Sequence, residues 1–423
     1  GTRSWLDNLK LRFSVGALGN GNVDPYKFLP TMSIDKTGVI VGDGQVNYTS
    51  YPGLIPNNLT WEKVTTYDVG VDVDMFKNRL TIGFDWYRRN TTDMYTVGPT
   101  LPEVLGTTQP KGNYANLKTK GWELTLSWRD NFKLAGSDFH YGVKFMLWDS
   151  QSWITKYNNA TGKLSDYYEG YRIGDIWGYN IEGLFTSYDE IANHADQDYI
   201  KISDSKIWQP GDLKFADLNG DGKIDKGAQT LSDHGDLVIV GNEEERYHYG
   251  FNLNVGWKGI GISAFFQGVG KRDWYPGQET GFFWGKYNRP YGYSLKMHEN
   301  RWTEENPNPN AYWPRLVGYS SENGGRPMGT PNNRYMQDAS YLRLKALTVD
   351  YSLPQAWVSK LGLTGLKIYF TGENLFTFSN ICENFDPEVI KGGDVDLKDR
   401  KGEEQGYSYP MLKTYTVGLN VSF

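Results

Sequence analysis

Residues 64–86 read VTTYDVGVDVDMFKNRLTIGFDW, and they alternate with period two on both sides of a short turn. Successive side chains of a strand point to opposite faces. Tyr67, Val69, Val71, Val73 and Met75 therefore share one face, and Asp68, Gly70, Asp72 and Asp74 share the other. After Lys77-Asn78-Arg79 the pattern resumes, with Leu80, Ile82, Phe84 and Trp86 against Thr81, Gly83, Asp85 and Tyr87. The stretch predicts an antiparallel hairpin with one apolar and one polar face.

The same alternation recurs outward along the chain. It carries Trp122, Leu124, Leu126 and Trp128, then Phe139 to Leu147, then Tyr247 to Trp257, which turns at Lys258-Gly259 into Ile260, Ile262, Ala264 and Phe266. Later runs are LRLKALTVDYSL, LKIYFTGENLFTF and the closing TYTVGLNVSF, ending on Phe423. From Leu342 the phase changes, with Leu342, Leu344 and Ala346 giving way to Leu347, Val349 and Tyr351, and a β-bulge reconciles the two phases. About eleven such strands are expected by this reading. Tight links alternate with long excursions over residues 149–245, 271–338 and 379–410, as in barrels with short turns at one rim and long loops at the other. An apolar face directed inward would make a soluble sandwich, and one directed outward a membrane barrel. Tyr67, Trp86, Trp122, Trp128, Tyr247 and Trp257 flank the apolar stripes as interfacial girdles do, which favours the membrane barrel.

Composition agrees with an all-β chain. The 423 residues include 49 Gly, 15 Trp and 30 Tyr, with a mean hydropathy of -0.59. A formal charge of -6 offers no basic field for a phosphate backbone, so nucleic acid is not an expected partner. The single cysteine, Cys382, excludes an intrachain disulfide framework and a Cys-based zinc cluster. No apolar run is long enough for a transmembrane helix, and the opening GTRSWLDNLK lacks the order of a signal peptide. The chain reads as a piece that begins within a fold. About eleven strands would leave a barrel open, so the piece is expected to be one part of a larger barrel.

The run DLNGDGKID places Asp217, Asn219, Asp221, the carbonyl of Lys223 and Asp225 at the first, third, fifth, seventh and ninth positions of a calcium loop, with Gly222 at the turn. The twelfth position is Ala228, and no amphipathic helices flank the run, so a sensor that moves helices is not expected. A structural Ca2+ site is, with Asp236 or else Asp233 supplying the missing ligand from beyond the insertion. Enzyme signatures are missing: there is no GxSxG, HExxH or Walker A motif, and the five histidines show no ligand spacing. The acids at Glu243 to Glu245 read as a solvated loop face. The loop KRDWYPGQETGFFWGKYNRPYGYS is rich in rings, most of which are expected to pack the loop itself; Trp274, Tyr275, Trp284 and Tyr287 are the candidates to face a ligand.

Several segments together resemble the SusC/RagA-type TonB-dependent outer-membrane transporters of Bacteroidetes. They are NLKTKGWELTLSW, EGYRIGDIWGYNIEGLF, GDLKFADLNGDGKID with GDLVIVGN, DASYLRLKALTVDYSLP, GENLFTFSN with FDPE, and YPMLKTYTVGLNVSF, in the family's order. The resemblance implies the C-terminal half of a 22-stranded barrel in the outer membrane. Phe423 then matches the terminal aromatic signal for membrane assembly. It also implies import of oligosaccharides, or alternatively peptides, under a SusD-like lipoprotein lid. The TonB complex would supply energy through a plug and N-terminal barrel portion that this chain does not contain. A soluble glycan-binding β-protein is the competing expectation from a different class.

Overall fold

The computed structural model describes the chain except residues 1–3, 22–25, 27–28, 56–58, 99–100, 103, 105, 107–108, 203–206, 279, 323 and 391–407. The alternating segments pair in sequence order into one ten-stranded antiparallel sheet. Its strands are β1 (Leu6–Asn20), β2 (Glu62–Met75), β3 (Leu80–Val97), β4 (Lys111–Leu134), β5 (Ser137–Lys156), β6 (Arg246–Trp257), β7 (Ile260–Lys271), β8 (Tyr341–Ser352), β9 (Gly365–Ser379) and β10 (Thr414–Ser422). Several outrun the alternating pattern, so the first long loop begins after Lys156 rather than at residue 149. The expected phase change is present but earlier than the sequence placed it: Lys345 is skipped in the pairing of β8 with both β7 and β9, so Ala346 faces opposite to Leu344.

Two of the turns on one rim are two-residue hairpins. Ala135-Gly136 and Lys258-Gly259 have φ of 49° and 76°, and of 49° and 85°. Positive φ at both central residues gives the hairpin turn whose twist matches that of its strands.

Register aligns the apolar residues into continuous rows. One row runs through Leu9, Val73, Ile82, Leu126, Phe145, Phe251, Phe266, Leu344 and Phe376. This face is not packed against protein: Phe13 and Val417 are 76% and 75% exposed. On the opposite face Arg12 donates to both Asp72 and Asp85 across three strands. A Cβ at Gly70 would lie 2.2 Å from the Asp85 carboxylate and 2.7 Å from the Arg12 guanidinium carbon, so glycine leaves room for the cluster. Apolar outside and charged inside is the arrangement of a barrel wall in lipid.

The girdle residues fall at two levels. Near the short-turn rim, Trp128 donates its indole N–H to Tyr141, and Phe132 packs on Phe139 at 5.1 Å. Trp257 lies at the same rim and donates to the Leu134 carbonyl. Trp86 and Trp122 face each other at the upper level. From Phe132 to Trp122 β4 advances ten residues, about 34 Å along the strand or about 26 Å along the normal at a tilt of ~40°, the separation of a barrel's two aromatic girdles, with Asp130, paired to Arg79, the one charged outward position between them on this strand. Tyr67 and Tyr247 depart from the expectation. Tyr67 stands beside Arg88 one step above the Trp86 level, and Tyr247 occupies an irregular position with φ 56°.

The sheet is open: among the described residues β1 and β10 pair with β2 and β9 but not with each other. Beyond the other rim, residues 157–245, 272–340 and 380–390 fold onto one another. Tyr179, Phe185, Leu213, Phe215 and Ile224 from the first segment share a core with Trp284, Trp313 and Tyr335 from the second and Ile381, Phe385 and Ile390 from the third. Asp175–Gly178 pairs with Val238–Asn242, Ile181–Leu184 with Leu213–Phe215, and Asp273–Trp274 with Gln337–Asp338.

Candidate functional site

The loop core is built from aromatic rings because loops carry many carbonyls without ladder partners, and a ring with a polar tip fills volume while donating to one. Trp284 is fully buried and donates to the Gly277 carbonyl at 2.8 Å. Tyr287 donates to Pro314 at 2.8 Å and stacks on Trp313 at 5.2 Å. Trp274 is 4% exposed and packs on Phe385 at 5.0 Å. Tyr275 keeps part of its ring at the surface, but its hydroxyl is enclosed, donating to Met328 and accepting from Asn332. Burial pushes the Tyr275 and Tyr287 hydroxyls above their usual range. The expectation that Trp274, Trp284 and Tyr287 offer flat faces to a ligand is therefore corrected, since neighbouring side chains cover them, while Tyr275 keeps only part of its ring at the surface.

The DLNGDGKID loop folds around its own amides. Asp217 accepts from Gly220 and Gly222, Asn219 from Asp221, and Asp221 from Lys223. The structure brings Asp236, not Asp233, to this loop. Fully buried, Asp236 accepts from Leu218 on one oxygen and from Asp225 on the other, whereas Asp233 accepts from Ala228 in the following turn. Gly220 and Gly222 take φ of 76° and 82°, which side chains disfavour. Strands rather than helices flank the loop, at Leu213–Phe215 and Val238–Asn242. The oxygens suit a hard divalent cation in chemistry. They are not gathered as a cage, since among the described residues no three Asp, Glu, His or Cys side chains are grouped to hold a metal.

Where loops meet barrel, buried ion pairs fasten them. Arg343 lies on the polar face of β8, 4% exposed at its side chain, and donates to Thr377, Asp386 and Glu388. Lys345, freed by the bulge, reaches Glu388 at 2.7 Å. Arg272 donates to the Ile390 carbonyl and to Glu245, so Glu245 is an ion-pair partner rather than part of a solvated face. Arg246 holds the buried Asp149, and Arg315 holds Asp212 through two hydrogen bonds. Burial raises the Asp212 carboxyl despite that partner.

Beside this junction lies a cleft of about 850 Å³. Its polar groups come from Lys296, Glu299, Asn300, Gln337, Asn380, Glu383 and Asn384, and its apolar floor includes Met297, Tyr312 and Cys382. Cys382 contacts the Met297 sulfur at 3.3 Å, and burial pushes its thiol up, so it packs as a small apolar group. His298 sits behind the floor, its pKa lowered by burial; Nδ1 accepts from Leu295 and Nε2 meets the Phe283 carbonyl. Sequence reading missed the cleft and the Arg343 cluster. The alternation does place Arg343 on the polar face, and that was the available signal.

An outward-apolar sheet with short turns at one rim and folded loops at the other is the architecture of an outer-membrane β-barrel. Residues 4–221, just over half of the chain, match the family described as TonB dependent receptor-like, beta-barrel. The chain belongs to that family. TonB-dependent receptor P3 of Formosa agariphila is 29% identical over 98% of this chain and 39% of its own length. SusC, a TonB-dependent receptor of Bacteroides thetaiotaomicron, is 25% identical over 99% and 38%. Among solved structures, that of the RagAB peptide transporter superposes with a TM-score of 0.71 at 22% identity, over 99% of this chain and 41% of that one. The chain thus spans about two fifths of the length of these relatives. It is a TonB-dependent receptor β-barrel of the outer membrane, similar to SusC and to the RagAB transporter; such relatives are receptors and transporters rather than enzymes, and the soluble alternative is overturned.

Proposed function

We propose that this chain supplies the greater part of the extracellular platform, and ten wall strands, of an active importer of nutrient oligomers. The observation that carries the reading is the joint one: a lipid-facing wall whose interior is charged, crowned by loops held in a single core. An open sheet in lipid leaves edge amides without partners at several kcal/mol each, so strands of the longer protein close the barrel. A plug within it, coupled to the TonB complex, would open the path, and a SusD-like lipoprotein would cover the loop platform. Oligosaccharide is the first cargo class. Peptide is the second, supported because Trp274, Trp284 and Tyr287 are buried while the cleft displays carboxamides with Lys296, Glu299 and Glu383, groups that pair with a zwitterionic oligomer.

The test is uptake by cells carrying the complete transporter, supplied with labelled oligosaccharides or peptides. Accumulation of one class that stops when TonB is disrupted, with a lipoprotein co-purifying, is the expected result. Passage unaffected by TonB would refute active import. We further propose that the Asp217 loop takes Ca2+ through Asp217, Asn219, Asp221, the Lys223 carbonyl, Asp225 and Asp236, as a fastener of the platform rather than a switch.

A further inference from the structure

The outward face of the sheet carries cations immediately above its upper tryptophan level. Residues sharing parity with Trp86 and Trp122 point outward, so Arg88 on β3 and Lys118 and Lys120 on β4 face the same way as the apolar rows. Arg88 stands directly opposite Lys120. Like charges in that relation repel and weaken a strand pair unless an anion lies between them. Lys118 stands opposite Trp153 of β5, with its ammonium 5.7 Å from the ring centroid. Lys118, Lys120, Trp153 and Thr155 line a shallow pocket of about 310 Å³, closed on one side by Glu169 and Gly170. Gly170 is held there by the hydrogen bond its N–H donates to the Ile154 carbonyl, and the bridge between Trp153 and Arg172 continues the edge. Among the described residues neither Lys118 nor Lys120 makes an ion pair, and Glu169 is the one carboxylate of the pocket.

Depth decides what can fill it. Lys120 and Lys118 lie two and four residues beyond Trp122, about 5 and 10 Å further along the normal, which is the thickness of a headgroup layer. The long loops mark this rim as extracellular, so the layer is the outer leaflet. We propose that the pocket binds the phosphate of an outer-leaflet lipid headgroup, with Lys118 and Lys120 on the phosphate, Arg88 beside them and the Trp153 ring against the sugar or upper acyl chain. Three cations facing one carboxylate attract an anion, and a lipid, unlike free phosphate, also covers Trp153 and is delivered at the right depth by the membrane itself.

The test uses the complete transporter extracted from outer membranes in mild detergent, with bound lipid read by native mass spectrometry. Monophosphorylated lipid A should be retained by the parent and at least tenfold less by Lys118→Gln with Lys120→Gln. Lys118→Arg with Lys120→Arg should keep it, as should Lys63→Gln, an outward cation outside the pocket. Dephosphorylated lipid A should be retained tenfold less than the phosphorylated form, and millimolar inorganic phosphate should not displace the bound lipid. Equal retention by the glutamine variant, or of the dephosphorylated lipid, would show that the lysines are only interfacial anchors and overturn the proposal. Displacement by inorganic phosphate would overturn it in favour of a free-anion site, and equal loss in Lys63→Gln in favour of diffuse charge. None of these outcomes depends on which cargo is imported.

Discussion

Arg343→Gln isolates the fastening of the 380–390 segment to the barrel mouth. The guanidinium is 4% exposed, and its carboxylate partners Asp386 and Glu388 are 9% and 19% exposed at their side chains. Removing one partner of a buried ion pair costs about 3–5 kcal/mol because the remaining charge is left uncompensated. Here the remainder is not abandoned: Glu388 keeps Lys345, and Asp386 keeps the amides of Glu388 and Met411. That lowers the expected cost to about 2–3 kcal/mol, a rise of about 30- to 150-fold in the population in which the segment is released. Amide hydrogen exchange of the complete transporter at neutral pH reads this directly. Amides of residues 381–390 should exchange faster by that factor in Arg343→Gln, while those around Trp313 stay as in the parent. Adding Asp386→Asn and Glu388→Gln should recover much of the loss, since the stranded charges are then gone. Exchange within about twofold of the parent would falsify the view that this cluster holds the segment down.

Trp284→Ala should cost about 3–5 kcal/mol of loop-core stability, seen as protease cleavage within residues 272–340 while the barrel keeps its heat-modifiable migration. His298 has a depressed folded pKa, so its contribution is present above its unfolded pKa of ~6.5 and is lost as pH falls below that; protease resistance of the same loop should drop between neutral pH and pH ~5, and His298→Gln should flatten the dependence. Elemental analysis after dialysis against micromolar Ca2+ should find about one ion attributable to the Asp217 loop, absent from Asp217→Ala and Asp236→Asn. If the ion is present, calcium at 100 times its dissociation constant should stabilise the platform by about 2.7 kcal/mol, and no shift with calcium would remove the fastener reading. Gly70→Val should weaken the β1–β3 wall, because the added side chain takes the place of the Arg12 guanidinium beside Asp85.

The wall was legible in the sequence because its physics is local. Period-two alternation assigned both faces of β2 and β3 residue by residue, and the phase change read after Ala346 announced a bulge that the pairing places slightly earlier, at Lys345. Strand ends were not legible. Above Trp122 the outward residues become Lys120 and Lys118, so the apolar signal stops at the top of the lipid band while β4 itself continues to Lys111. The loop core was missed for a related reason. Its partners are distant in sequence, as with Arg272 and Ile390 or Arg343 and Asp386, and no periodicity records such pairs. Ring composition was read correctly as packing for most of the 271–294 loop. Three of the four rings singled out for a ligand, Trp274, Trp284 and Tyr287, are among the best covered, since large rings with one polar tip are what a core made of irregular backbone selects.

The placement of charge follows from these two regimes. In the wall, Arg12 is shared by Asp72 and Asp85 on the interior face, and the outward face of β4 is apolar from Trp128 up to Trp122, with Asp130 below it paired to Arg79. At the junction the arginines sit at strand ends and reach the loops: Arg246 to Asp149, Arg272 to Glu245, Arg343 to Asp386 and Glu388. A loop held by apolar contacts alone can slide over a barrel rim, because the hydrophobic effect is non-directional. A guanidinium bound to two carboxylates fixes both distance and orientation. The cap is thereby registered to the strands at the rim, and a load on the cleft acts on the wall through the ends of β6, β7 and β8 rather than through a flexible tether.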